Sequence, residues 1–177
     1  MRPGSLLAPR WSGLFPAGSI LWAVLLLACS GCQSTRPATS DGTVWARFHL
    51  ESAPDVAGLT LALPQSGSLI AVNPKPVITE GDVVNVELVQ VDLGKCLMFQ
   101  LTTAAARDFY RLSGTHQGRR LVLVVNDVAV GARRIDGAMA DGVVYIFVEL
   151  PDDELPLLAA RLKKSSIAYQ REIARKG

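Results

Sequence analysis

Three cysteines, two histidines and a few clusters of acids and bases are the groups in this chain that could do chemistry, and their spacing decides what kind. Cys29-Ser-Gly-Cys32 has the C-x-x-C spacing of a redox pair, in which a thiolate of lowered pKa attacks a disulfide. Such a pair belongs between a strand and a helix, whereas this one closes a long apolar stretch. Cys96 lies in a strand pattern between Lys95 and Leu97, the setting of a small buried hydrophobe rather than a nucleophile. A Cys32–Cys96 disulfide would require an oxidising compartment. His49 falls on the polar side of an alternating segment and His116 in a loop; with no cysteine or acid cluster beside them, both read as surface residues and not as metal ligands. Asp152-Asp-Glu154 reads as the acidic start of a helix, where carboxylates meet the positive end of the dipole. The chain has neither G-x-S-x-G nor a Walker sequence. No catalytic residue, metal, cofactor or small-molecule substrate is therefore expected.

The N-terminal segment has an address written in it. Arg2 and Arg10 precede an apolar stretch that begins at Leu14 and culminates in Ile20-Leu-Trp-Ala-Val-Leu-Leu-Leu-Ala28, the charged, apolar, small-residue order of a secretory signal. A membrane-spanning helix needs about 20 apolar residues, and this uninterrupted run is much shorter. Leu26-Leu-Ala-Cys29 resembles the lipobox of bacterial lipoproteins. That resemblance implies removal of residues 1–28, acylation of Cys29 as the new N-terminus and anchoring by three acyl chains. Cys32 is the alternative acceptor, but Cys29 would then occupy a position where the lipobox wants a branched apolar residue. Ser30 in place of Asp implies the outer membrane in a Gram-negative host. The expected location is thus a membrane surface facing the periplasm, reached through a lipid anchor.

Composition limits the partners. The hydrophobic fraction of 49% suffices for a packed core in a chain of 177 residues. The net charge of +2 disappears when Arg2 and Arg10 leave with the signal, so there is no electrostatic footprint for nucleic acid. The doublets Arg119-Arg120, Arg133-Arg134 and Lys163-Lys164 read first as solvated edges. Arg133 and Arg134, together with Met139 in the loop that follows, are the candidates for partner contact, because a flexible thioether suits adaptable surfaces, although Met139 reads first as core filling.

These residues need elements to hold them. Residues 29–42 are polar and aperiodic, as in a flexible tether. Thr43 to Glu51 alternates like a half-buried strand, and Leu59–Leu63 and Leu69–Val72 flank the turn Pro64-Gln-Ser-Gly67 as a hairpin. Asn73-Pro-Lys-Pro76 interrupts regular structure, so 43–76 reads as one region and 77–164 as the main domain. Thr79-Glu-Gly-Asp82 predicts a capped turn. Val84, Val86 and Leu88 alternate, then Val89 and Val91 take over the apolar phase, which predicts a bulge near Leu88. Asp92-Leu-Gly-Lys95 predicts a hairpin turn into Cys96–Leu101. Thr103 is expected to cap a helix with Ala105, Phe109 and Leu112 inward. Leu121–Val125 predicts a central strand joined to Val128–Ala132 by an Asn126-Asp127 turn, and Val143–Val148 another strand. Leu155, Leu158, Ala159 and Leu162 form a helical stripe, and 165–177 reads as a basic tail or as a short amphipathic helix through Tyr169 and Ile173, with Glu172 and Lys176 paired. The fold class is α+β, a mainly antiparallel sheet with two helices on one face.

From Val77 to Lys164 this order resembles the head subdomain of the first periplasmic domain of SecD, a subunit of the Sec export machinery. The resemblance is carried by Pro76-Val-Ile-Thr79, by Leu101-Thr-Thr-Ala-Ala-Ala-Arg-Asp-Phe-Tyr-Arg-Leu112, by Gly118-Arg-Arg-Leu-Val-Leu-Val-Val125 and by the spacing to Val128-Ala-Val130 and Ile135. The family's Asp-Gly turn is Asn126-Asp127 here and its Ser-Ala-Pro is Gly131-Ala-Arg133. The resemblance implies a SecD-head-like fold and contact with an emerging polypeptide or an envelope protein. The resulting expectation is a non-catalytic binding or scaffolding lipoprotein, with a structural spacer and an unrecognised enzyme as alternatives.

Overall fold

The computed structural model describes residues 43–176; the signal, Cys29, Cys32 and the tether lie outside them. Among the described residues the order is β1 (Ala46–Leu50), β2 (Leu59–Ala62), β3 (Leu69–Val72), a 3-10 turn (Glu80–Asp82), β4 (Val83–Val91), β5 (Gly94–Leu101), α1 (Thr103–Thr115), β6 (Arg120–Val125), β7 (Val128–Arg134), β8 (Val143–Ile146) and α2 (Leu155–Lys176). All strand pairs are antiparallel and fall into the sheets β1-β6-β7 and β4-β5-β8 plus the hairpin β2-β3. The class is α+β, and both helices contribute to one core.

That core lies between the two three-stranded sheets. Phe48 and Leu50 of β1, Leu121 and Leu123 of β6, Leu97 and Phe99 of β5, and Val144 and Ile146 of β8 meet there with Phe109 of α1 and Leu162 of α2. Phe48 and Phe99 pack edge to face, with ring centroids 4.9 Å apart and planes at 89°. β6 is apolar at consecutive positions because its other face is covered too. Val122 and Val124 join Leu63, Ile70, Val72 and Ala129 in a second cluster beneath the β2-β3 hairpin. His49, expected at the surface, is consequently only 8% exposed, and its Nδ1 lies 2.9 Å from the carbonyl of Asn73. Alternation placed it opposite the main core correctly, but gave no notice that a hairpin covers that side.

Local signals account for most boundaries. Asn126 and Asp127 have φ of 46° and 66°, the left-handed pair of a two-residue hairpin that matches strand twist. Thr79 and Asp82 form a reciprocal capping box, the Asp82 carboxylate accepting from the Thr79 backbone at 2.8 Å. The cap of α1 is Thr102 rather than Thr103: its hydroxyl accepts from the Ala105 N–H at 3.2 Å. The bulge in β4 lies between Val83 and Asn85, not near Leu88. Past it, Val86 and Leu88 oppose Phe99 and Leu97 on the core side, while Val89 opposes Cys96 on the other side. The apparent phase change was therefore a second apolar face.

α2 runs unbroken through the segment expected to be a tail. Ser166 is buried, the Gln170 side chain donates to the carbonyls of Gly81 and Val83 at 2.8 and 3.2 Å, and Val44 N–H donates to Ser165 Oγ at 3.0 Å. These polar contacts hold the helix where its apolar stripe thins, which a hydrophobic pattern does not register.

Phe48→Ala should lower stability by about 3–5 kcal/mol, since a fully buried ring leaves a cavity that a sheet strand cannot close. Urea denaturation read by circular dichroism checks this; a cost under about 1 kcal/mol would contradict the packing described.

Candidate functional site between two strand edges

The two three-stranded sheets do not merge. β7 and β8 are end strands of different sheets, and they touch at a single bridge, Gly131 to Val148, supported by Glu149 N–H donating to the Val130 carbonyl at 2.7 Å. A Cβ on Gly131 would stand 2.3 Å from the Phe147 carbonyl oxygen, so only glycine permits this approach. Beyond the bridge the strands part and leave a cleft of about 540 Å³. Its lining comes from Val91, Asp92 and Leu93 at the β4-β5 turn, Cys96, β7 from Ala132 to Arg134, Asp136, and Tyr145 and Phe147 at the end of β8. Leu93 is 85% exposed and Phe147 39%, an uncommon placement for large apolar side chains beside unpaired strand edges.

Of the residues singled out from sequence, Arg133 and Arg134 line this cleft and Met139 does not. Arg133 Nη1 donates to the Tyr145 carbonyl at 3.1 Å, spanning the gap from one edge to the other. Arg134 is exposed. Met139 is half-buried against the main core, and its backbone N–H donates to the buried Ser113 Oγ at 2.9 Å, the core-filling placement of its thioether. Cys29 and Cys32 fall outside the described residues. Tyr145, Phe147 and Leu93 were not anticipated as site residues; the signal for them was the pair Val89 and Val91, apolar on the face opposite the core.

Cys96 is fully buried and burial pushes its thiol up, against the thiolate a nucleophile needs. His116 caps the end of α1, its Nδ1 2.9 Å from the Leu112 carbonyl. Among the described residues no three His, Cys, Asp or Glu side chains gather as a metal site. A second, smaller cavity of about 100 Å³ lies between α2 and the start of β1, with Val44, Trp45 and Leu162 in its wall. Trp45 Nε1 is buried without a protein partner.

Several charged residues are clamps. The Glu51 carboxylate accepts from Arg120 N–H at 2.8 Å and from its Nε at 3.1 Å, and the Arg120 side chain holds its pKa below the usual carboxylate range. Glu80 is held low in the same way by a two-pronged contact from Arg47, both bonds 3.0 Å. The Glu149 carboxylate accepts from Gln65 N–H, Ser66 N–H and Ser66 Oγ at 3.0, 2.9 and 2.7 Å, pinning the tip of the β2-β3 hairpin.

No protein-family model matches the chain, and no curated protein sequence matches it. Solved structures do. One is SecDF in its super-membrane-facing form, with TM-score 0.56 and 20% identity over 71% of this chain. Another is a membrane component SecDF that enhances protein export, with TM-score 0.55 and 18% identity over 89% of this chain and 73% of that one. This chain spans 19% of the first. At such identities the likeness is one of fold, and the fold is SecD-head-like.

Two outcomes follow from the geometry. Gly131→Val should cost about 1–3 kcal/mol through overpacking and separate β7 from β8, seen as faster amide exchange at 130–134 and 147–149; unchanged exchange would contradict the close approach. Glu51 and Glu80, whose pKa values fall on folding, stabilise above the unfolded carboxylate range, and that contribution is lost as pH falls through it toward their folded values. After screening, each pair should contribute roughly 1 kcal/mol. The drop in urea midpoint between about pH 7 and about pH 3 should shrink in Glu51→Gln; an unchanged drop would contradict the assignment.

Proposed function

We propose that this chain is a cell-envelope lipoprotein, acylated at Cys29 with Cys32 as the alternative, whose SecD-head-like domain binds extended polypeptide segments or envelope proteins without catalysis. The observation that carries the binding reading is the cleft between facing strand edges, walled by Leu93, Phe147 and Tyr145 and bridged by Arg133. An extended segment entering it can replace the Arg133 bond with backbone pairing to a strand edge and lay its side chains against the exposed apolar groups. Arg134 at the rim supplies a donor for carboxylates or carbonyls. That a SecDF protein of like fold enhances protein export supports a link to export.

The anchoring reading rests on the sequence of residues 1–32, and no described helix is long and apolar enough to cross a membrane. Its expected location is the periplasm-facing side of a membrane, the outer one in a Gram-negative host by the Ser30 rule. Cys29→Ser should move the chain from the membrane to the soluble fraction, and mass spectrometry should find acyl groups on Cys29 of the parent. If the Ser variant is still acylated, at Cys32, the alternative acceptor is correct; no acylation on either cysteine removes the anchor.

For the cleft, a photo-crosslinking amino acid at Leu93 should capture polypeptides in cells, and the yield should fall several-fold in Arg133→Glu. The same crosslinker at Tyr110, on the exposed side of α1, is the control. Equal capture from both positions would refute a binding role for the cleft.

A further inference from the structure

α2 carries a second surface that the cleft does not use. Leu155, Ala159, Leu162 and Ser166 face inward and are buried. On the opposite side, Leu157, Arg161, Lys164, Ala168, Arg171 and Arg175 recur at alternating intervals of four and three residues, which places them in one stripe about 27 Å long. Leu157 is 57% exposed, Arg161 is half-buried, and the other four are exposed. The stripe contains four bases and no acid. Glu172, the only acid in α2, lies at its flank, bonded to Lys176 at 2.6 Å, while Lys163 is turned toward β4 and bonded to Glu87 at 3.2 Å. Among the described residues, Arg161, Lys164, Arg171 and Arg175 make no ion pair.

A second observation ties this stripe to the chain's attachment. The chain enters the fold at Thr43–Val44, where Val44 N–H donates to Ser165 Oγ, midway along the same helix. Under the anchoring reading above, the chain leaves its anchor and enters the fold beside α2, where a weak attraction acts at high effective concentration.

We infer that the outward face of α2 docks on a phospholipid surface bearing anionic headgroups. Arg161, Lys164, Arg171 and Arg175 reach phosphates, while Leu157 at the N-terminal end of the stripe and Ala168 between the bases settle at the headgroup boundary. The stripe is convex and has no aromatic side chain on which bases could stack, which argues against single-stranded nucleic acid. Docking lays the helix along the membrane and fixes which sides of the domain remain open to partners. It depends on the anchoring reading for its strength in the cell, not for its chemistry.

The test uses the chain from residue 29 onward with Cys29→Ser and Cys32→Ser, so that neither acylation nor the apolar signal with Arg2 and Arg10 plays a part, and vesicles of phosphatidylcholine with or without phosphatidylglycerol. Binding should favour the anionic vesicles and weaken with salt. Replacing Arg161, Lys164, Arg171 and Arg175 together by Gln should lower that preference by up to about a thousandfold, whereas Arg107→Gln with Arg111→Gln on α1 should leave it. Circular dichroism and the thermal midpoint report whether the four-site variant still folds. An environment-sensitive dye on Ala168→Cys, in the otherwise parental helix, should shift to shorter wavelength on anionic vesicles only. A preserved preference in a folded four-site variant, a dye that stays in water while the chain binds, or tighter binding to soluble DNA or polyglutamate than to vesicles would each overturn the inference. Loss of the preference together with a dye shift in the parent would support it.

Discussion

The burial of β6 on both faces is the constraint from which the other layers follow. Leu121, Leu123 and Val125 belong to the main core, and Val122 and Val124 to the cluster beneath the hairpin. Fully burying an aliphatic side chain contributes about 1.5–3 kcal/mol against its exposed state, so neither cover can be lost without exposing part of this strand. The hairpin is correspondingly fastened at both ends. At its base Ser52 N–H donates to the Ala71 carbonyl and Asn73 N–H to the Leu50 carbonyl, each near 2.8–2.9 Å, while Glu149 holds its tip. Asn73-Pro-Lys-Pro76, which reads as an interruption, returns the chain alongside β1, where Val77 N–H donates to the Phe48 carbonyl at 2.7 Å.

Because β6 fixes β7, and β5 fixes β8, the two sheets meet at an angle set by their cores and not by their own edges. Only at Gly131 do the edges come close enough to bond. An open pair of edges invites uncontrolled pairing with other chains, and proteins usually blunt such edges with charge. Arg133 fits that role by occupying the Tyr145 carbonyl, and Arg134 adds a second charge at the rim. The same side chain that protects an edge can be displaced by a partner that offers a better acceptor.

Elements whose cause is local were legible in the sequence: the Asn126-Asp127 turn, the capping box at Thr79, the alternation of β1 and the apolar run of β6. What escaped depends on distant coverage. His49 looked solvent-facing because the alternation of a strand says which residues share a face, not whether another hairpin lies over it. Val89 and Val91 looked like a slipped register because two apolar faces produce the same pattern as one face that shifts. Residues 165–176 looked like a tail because buried Ser166 and the Gln170 bonds to Gly81 and Val83 are polar. Arg133 was singled out by its neighbour in a doublet, but its partner, a backbone carbonyl of β8, is invisible without the seam.

The balance of charge in the body of the chain conceals a segregation. Arg47, Arg120 and Lys163 are each committed to a carboxylate elsewhere in the fold. Those pairs cancel where they stand, and the remaining acids and bases act through where they lie on the surface. Solvent-exposed charges act over a Debye length of about 8–10 Å near physiological salt, shorter than α2 itself, which makes the local stripe the relevant quantity. A neutral protein can therefore present a strongly basic helix on one side and an apolar strand seam on another, and each surface can act independently of the net charge.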